Sequence, residues 1–354
     1  MTKLTAGSLA AMARLAEGDR PEVTVLLPVR NGAAHLEAAA GSILRQTLTS
    51  LELLVVDDGS TDATPALLER LAAADGRVRV RRQAALGLVA ALNCGLREAR
   101  AGLVARMDAD DIAWPERLAR QAAAFARKEV ALVGTGWRVV AGGLTRRVVL
   151  PPETDAGIRA GMAGANVLAH PTVMFRREAV LAVGGYRPAF LLAEDYDLWL
   201  RLLDRYAAAC VPEVLLDYRE HAGQSAWRDL EQRVLSEMGV QAAASCRRAG
   251  RPDWGEGEAP IDRARLRRMG LGEGEIAAGI VARALGAAKD ARAAGNPAAM
   301  RVAARLGLRQ PGVRLRTRVH FAALLAQARV VTRRPPDPGL KRPPPPSSDG
   351  ERGR

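Results

Sequence analysis

The chain has 354 residues, 48% of them hydrophobic and only 4% aromatic, with a formal charge of +13. That is enough apolar material for a sizeable core, so one large domain plus an appendage is expected rather than a disordered or fibrous chain. Three widely spaced cysteines, Cys94, Cys210 and Cys246, suggest neither a disulfide framework nor a zinc site, and point to a reducing, cytoplasmic location. No apolar run reaches the length of a membrane span, since the best candidate, 276–288, is short and carries Arg283. Residues 6–16 are apolar but interrupted by Arg14, and read as a short amphipathic or disordered lead-in.

In chain order, residues 23–27 form an apolar, β-rich run that ends at Pro28 and the turn signal Asn31-Gly32. Residues 33–46 follow with Leu36, Ala40, Ile43 and Leu44 at helical spacing. Residues 51–56 predict a second strand, apolar apart from Glu52, as a parallel strand covered on both faces requires. Then come the acidic stretch 57–62, a helix over 65–74, a short strand at 78–80, a helix over 88–100 and a strand over 103–107. Strand and helix alternate throughout, the pattern of a doubly wound α/β sheet. Beyond this the rhythm changes. A helix is expected over 115–128, extended chain at 130–133 and 138–149, a strand at 170–175, a helix over 194–206 and extended chain at 211–218. Residues 227–331 read as mostly helical and rich in Ala, Leu and Arg, with breaks near 250–260 and 295–297. The Pro- and Ser-rich stretch from 335 predicts disorder.

The strand over 103–107 delivers Asp108-Ala109-Asp110-Asp111. Three acids within four residues repel one another, and become tolerable when a divalent cation such as Mn²⁺ or Mg²⁺ takes their oxygens. At a strand end they would open into the crevice where an α/β sheet binds its ligand. A solvated turn followed by a helix start fits the same residues. Asp57 and Asp58 also stand at a strand end, where their side chains can face a ligand. Asp62 reads as the cap of the next helix. Glu194-Asp195 stand at the head of a helix, where acids complement the helix dipole.

Four stretches carry a resemblance: VTVLLPVRN (23–31), LELLVVDDGSTD (51–62), the 93–111 stretch and AEDYDLWLRLL (193–203). In this order and spacing they resemble family 2 glycosyltransferases, inverting enzymes of the GT-A fold that often build bacterial polysaccharides and glycolipids. The likeness runs over roughly residues 22–225. It implies an α/β, Rossmann-like GT-A domain over 21–225, with a mostly parallel sheet flanked by helices. Residues 21–113 would hold the nucleotide-sugar and 114–225 the acceptor. Residues 1–20 would be a lead-in, 226–334 a basic helical extension and 335–354 a disordered tail.

The resemblance also implies roles. Pro28, Arg30 and Asn31 would line one wall of the base pocket, facing Asp57 and Asp58 on base and ribose. Many relatives carry an aromatic residue at position 30; an arginine there can stack its guanidinium, reach a phosphate or lie in solvent. Asp110 would be the closer metal ligand, and Asp108 would hold the ribose or a water on the metal. Asp111 would cap the helix beginning near Pro115 or orient its neighbours. Asp195 would take the proton of the acceptor hydroxyl, with Glu194 beside it. His170 is similar to a position near the acceptor side, or is structural. His221 is similar to a histidine near the metal or diphosphate, or is an exposed loop residue. Trp199 and Leu198 read as core, and Arg201 as an ion-pair partner on its own helix.

The surplus charge is unevenly placed: residues 251–354 carry 21 Lys and Arg against 10 Asp and Glu. Such a region suits the anionic inner face of a membrane presenting a lipid-linked acceptor, or is simply a solvated helical face. No nucleic-acid reader motif accompanies it, so no nucleic acid partner is expected. A nucleotidyltransferase would need a Gly-rich phosphate loop with lysine, and a dinucleotide-binding dehydrogenase G-x-G-x-x-G; residues 28–32 offer neither. The expectation is therefore a metal-dependent inverting glycosyltransferase moving sugar from a nucleotide-diphosphate donor to a saccharide or lipid-linked acceptor. The alternative is a catalytically inactive, transferase-like module that recruits polysaccharide or nucleic acid through its basic C-terminal region.

Overall fold

In the computed structural model, which describes residues 20–220, 229–257, 259–293 and 295–331, the first half forms a parallel sheet. Its strands are β1 (Val23–Val29), β2 (Leu51–Asp58), β3 (Val78–Gln83) and β4 (Leu103–Arg106), in the order β3-β2-β1-β4. Side chains alternate along β1. Val23, Val25, Leu27 and Val29 pack with Leu36 and Ile43 of α1 (Leu36–Leu44) and Leu67 of α2 (Thr64–Ala74). Leu26, on the opposite face, meets α3 (Leu88–Glu98) so closely that a Cβ on Gly95 would lie 2.1 Å from its Cδ1. Helices thus cover both faces, which is why these strands read as continuous apolar runs. The exception, Glu52, is buried but satisfied: it accepts from Thr24 Oγ1 at 2.6 Å, Arg100 N at 2.7 Å and Arg79 Nη1 at 2.8 Å.

The second half contains β5 (Ile112–Ala113), α4 (Arg117–Ala124), β6 (Val130–Ala141), β7 (Leu144–Val149), α5 (Asp155–Met162), β8 (Met174–Arg176), α6 (Arg177–Ala182), α7 (Glu194–Leu203) and β9 (Ala207–Arg219). It extends the sheet as β4-β8-β6-β9-β5, with β7 paired to β6. β8 runs antiparallel to β4 and β6, whereas β9 runs parallel to β6, so most paired residues of the whole sheet are in parallel register.

Three local details depart from the sequence reading. The extended chain expected over 138–149 is a hairpin, because Gly142 (φ 59°) and Gly143 (φ 78°) supply the two positive φ angles of a primed turn. The strand expected at 170–175 starts only at Met174. His170–Thr172 is a 3₁₀ turn, since Pro171 has no N–H to give a ladder and Thr172 Oγ1 donates to Ala169 O at 2.7 Å. Helix α5 was hidden by Gly157 and Gly161, both poor helix formers.

C-terminal to β9 stand α8 (Leu230–Arg248), α9 (Arg263–Arg268), α10 (Glu273–Ala293), α11 (Pro297–Leu308) and α12 (Leu315–Val331). The chain divides into two compact units at Ile280, within α10. In the first, α8 packs on α7, and Gly239 lets Ile261 approach, a Cβ there falling 2.8 Å from Ile261 Cγ2. In the second, α11 and α12 run antiparallel: the Phe321 ring lies over Gly307, and Arg301 Nη1 donates to Ala328 O at 3.1 Å. Among the described residues no helix is long and apolar enough to cross a membrane. The three cysteines are free. The lead-in before residue 20 and the tail from 335 lie outside the described residues.

One glycine holds two loops of the parallel half together. Gly59 has φ +71°, and a Cβ there would lie 2.8 Å from Ala85 N, whereas one on Gly76 would meet nothing within 4 Å. Denaturant unfolding should therefore find Gly59→Ala destabilised by about 1–3 kcal/mol. Gly76→Ala should stay within about 1 kcal/mol of the parent.

Candidate active site

The acids that follow β4 emerge at the carboxyl edge of the parallel strands, beside the loops after β1 and β2. Carboxylate oxygens of Asp108, Asp110 and Asp111 all lie within 4.8 Å of one another. Asp111 is fully buried; its Oδ1 accepts Arg219 N at 2.8 Å and its Oδ2 has no hydrogen-bond partner. Burial, then the charges of Asp108 and Asp110, hold the Asp111 carboxyl well above the usual range. Asp108 is also raised by burial, with Arg106 opposing and Asp110 adding to the shift. Carboxylates so crowded gain from a hard divalent cation, which would replace the missing positive charge and use the orphaned oxygen. The residues present fit such an ion.

Arg106, the last residue of β4, is only 3% exposed and ion-pairs with Asp108. Its backbone N–H donates to Val173 O at 2.9 Å. Beneath it Arg117, wholly buried, donates through Nη2 to Arg106 O at 2.7 Å and through Nε to Gln121 Oε1 at 3.1 Å. Burial lowers Arg117 to about 9.

Glu194 and Asp195 open α7, where acids complement the helix dipole. Asp195 Oδ1 accepts Tyr196 N at 2.7 Å, and its Oδ2 accepts Asn166 Nδ2 at 2.9 Å. Burial pushes Asp195 up to about 6, against the Tyr196 hydrogen bond and the charge of Arg106. Glu194 is more deeply buried and is pushed up to about 7, by burial first and the Asp195 charge second. Behind it His170 Nδ1 stands 4.0 Å from Glu194 Oε1, while His170 Nε2 is 2.9 Å from Tyr186 Oη. The imidazole lies edge-on to Trp199, and burial with the Arg106 charge holds it well below 6.5, hence neutral at pH 7. Tyr186 is fixed in turn by Asn93, which accepts Tyr186 N at 2.9 Å and donates to Tyr186 O at 2.8 Å.

Residues 24–184 match glycosyl transferase family 2. The chain is 31% identical over 205 residues to the O-antigen biosynthesis glycosyltransferase WbnJ of Escherichia coli, covering 56% of this chain and 80% of that one. It is 34% identical over 188 residues to the amylovoran biosynthesis glycosyltransferase AmsE of Erwinia amylovora, covering 52% and 70%. The chain belongs to glycosyltransferase family 2. Among solved structures, the mannosyltransferase PcManGT from Pyrobaculum calidifontis, in complex with GDP-Man and Mn²⁺, superposes with a TM-score of 0.52 at 25% identity, covering 88% of this chain and 86% of that one. Staphylococcus aureus TarS 1-349, in complex with UDP-GlcNAc, shares the fold with a TM-score of 0.54 at 18% identity, covering 88% of each chain. The protein is a glycosyltransferase with the GT-A fold.

Within this family 2 chain, the other residues singled out by sequence make the following contacts. Asp58 spends its oxygens internally, accepting from Gln83 Nε2 at 2.7 Å, Leu86 N at 2.8 Å and Gly87 N at 2.9 Å, and so pins the loop ahead of α3. Asp57, also buried, accepts Ser60 N at 3.0 Å. Pro28 is enclosed within β1, while Arg30 is exposed. Asn31, at φ 54°, donates its N–H to Ser60 Oγ and accepts Thr61 N, both at 2.8 Å, tying two loops together. Asp62 is not the N-cap of α2, which is Ala63; it stands one residue earlier and accepts Thr64 N at 2.9 Å, two positions on. Asp111 does not cap α4 but joins the acid cluster. Arg201 pairs with Asp197 at 2.8 Å one turn away, and Leu198 and Trp199 are fully buried. His221 lies outside the described residues.

Sequence reasoning missed Arg106, Arg117, Asn93 and Asn166. Arg106 had a signal, as the one charge inside an otherwise apolar strand; Asn166 had none. Removing one partner of a buried ion pair strands the other. Arg106→Met should lower stability by about 3–5 kcal/mol near pH 8 in denaturant titrations. The deficit should shrink near about pH 5, where protonation discharges the orphaned acids.

Proposed function

We propose that this glycosyltransferase draws its sugar from a nucleotide-diphosphate donor, uses a divalent cation, Mn²⁺ or Mg²⁺, and inverts the anomeric centre in one displacement. The observation that carries the reading is a single buried guanidinium, Arg106, with two acid groups in reach of its charge: the Asp108–Asp110–Asp111 cluster and the Glu194–Asp195 pair. Pure binding gives no reason for both. The donors bound by PcManGT and TarS support a nucleotide-sugar and leave the base open. The names of WbnJ and AmsE support polysaccharide or glycolipid assembly, with a saccharide or lipid-linked acceptor.

Asp110 and Asp108, with Asp111 beside them, would hold the ion; when bound, it supplies the positive charge that a departing nucleoside diphosphate requires. Asp57, at the end of β2, would accept from base or ribose, and Asp58 would keep its loop in place. Asp195 takes the proton from the acceptor hydroxyl while that oxygen forms its bond to C1 of the sugar. The bond from C1 to the phosphate oxygen breaks on the opposite face, and its electron pair leaves with the diphosphate. Glu194, His170 and Asn166 position the base: Asn166 fixes one oxygen, and the neutral His170–Tyr186 pair backs Glu194 without adding charge.

A base works only when ionised, so its raised pKa places the acid limb of the pH profile. For Asp195 beside Glu194, kcat/KM should fall as pH drops through about 7 to 6. A limb near about pH 4, the range of an unperturbed carboxylate, would remove Asp195 from this role. Asp195→Asn should lose about 10²–10⁴-fold in kcat and leave donor affinity unchanged in calorimetry.

Calorimetry across UDP-, GDP- and dTDP-sugars, with and without Mn²⁺, tests the donor site. One donor should bind in a metal-dependent way, with Asp110→Ala weakening it by at least about ten-fold. No binding to any donor would favour the inactive recruiting module.

A further inference from the structure

The second compact unit contains none of the residues of the two acid groups. Residues 281–331 contain ten Lys and Arg and one acid, Asp290. Helix α12 turns Phe321, Leu324 and Ala328 inward. Leu315 and Val319 are 77% and 62% exposed, and Ala322 and Ala326 are exposed with them, at successive spacings of four, three and four residues. At 100° per residue these four side chains fall within an arc of about 60°, on the side opposite the buried face. Arg316 and Arg318, both exposed, fall to either side of that arc. The helix is therefore apolar on two opposed faces, one spent on its neighbour α11 and one left in solvent between arginines. Ala326 also lines an apolar cavity of about 470 Å³ with Ala291, Pro297 and Met300.

The chemistry of the stripe selects its partner. It is shallow, aliphatic and without an aromatic anchor, which is poor material for a protein interface. An aliphatic stripe also gains nothing from a nucleic acid backbone, where phosphate contacts dominate. Flanking arginines with aliphatic side chains between them match an interface where acyl chains lie beneath anionic headgroups. We propose that this face of α12 docks on an anionic lipid bilayer, Leu315, Val319, Ala322 and Ala326 entering the boundary of headgroups and acyl chains while Arg316 and Arg318 meet the phosphates. The inference is independent of the donor chemistry, so neither can fail through the other.

Flotation of the full chain with phosphatidylcholine vesicles, with and without phosphatidylglycerol, tests it at low salt. The parent protein should float only with phosphatidylglycerol present. Leu315→Glu/Val319→Glu and Arg316→Glu/Arg318→Glu should each bind roughly ten-fold more weakly, with donor binding unchanged. No flotation of the parent, or parent-like flotation of the Leu315→Glu/Val319→Glu variant, overturns the proposal. So does tight binding to duplex DNA with none to vesicles. Should the glutamate variant fail to fold, Val319→Trp decides: its emission, taken as the difference from the parent, shifts to the blue on anionic vesicles if position 319 enters the bilayer. An unmoved difference spectrum counts against it.

Discussion

The guanidinium of Arg106 lies where Asp108, Asp111, Glu194 and Asp195 all respond to its charge. A buried cation is costly without carboxylates near it, and buried carboxylates are costly without a cation. Placing one arginine on the last residue of a central strand meets both demands at once. The surrounding hydrogen bonds keep it there. Its N–H is held by Val173 O, and Arg117 donates to both Arg106 O and Val173 O. The strand that delivers the acid cluster and the turn that begins at His170 are thereby locked to the same residue. The positive charge still falls short of the negative, which is why burial raises Asp108, Asp111, Glu194 and Asp195 together.

Around this centre, side chains hold loops that no ladder could hold. Asp58 grips the backbone ahead of α3, Asn31 bridges the loops after β1 and β2, and Asn93 clamps Tyr186. Asn and Asp serve here because a short polar side chain can satisfy backbone groups that irregular chain leaves open. The loops at the ligand edge are thus preorganised before anything binds, a requirement for any site that must orient two reactants.

The parallel half was legible in the sequence because its signals are local: apolar runs of strand length, turn residues after each, and helical spacing between. The acid cluster was legible for the same reason. What escaped depends on residues far apart in the chain. Asp57 and Asp58 look equivalent in sequence, but residues 83–87 return to occupy Asp58 and leave Asp57 with Ser60. Asp111 resembled a helix cap until Arg219, 108 positions later, claimed one of its oxygens. Asn166 meets Asp195 only through the turn that packs against α7, and nothing in its neighbours announces this. The 3₁₀ turn at His170 was masked by the apolar run 173–175, which reads as strand and follows Thr172 directly.

The amide of Asn93 sets how such a chain can diverge. It sits on α3 in the parallel half of the sheet, grips Tyr186 ahead of α7, and through the Tyr186 hydroxyl reaches His170 beside Glu194. The surroundings of the carboxylates that open α7 are therefore tied to α3 of the parallel half, not only to the chain that lies between. That intervening chain includes the β6–β7 hairpin, whose outer strand is almost entirely exposed. Changes of length or composition there leave the contacts from Asn93 through Tyr186 and His170 to Glu194 untouched. A lineage can in this way vary its exposed outer strand while the two acid groups stay in register.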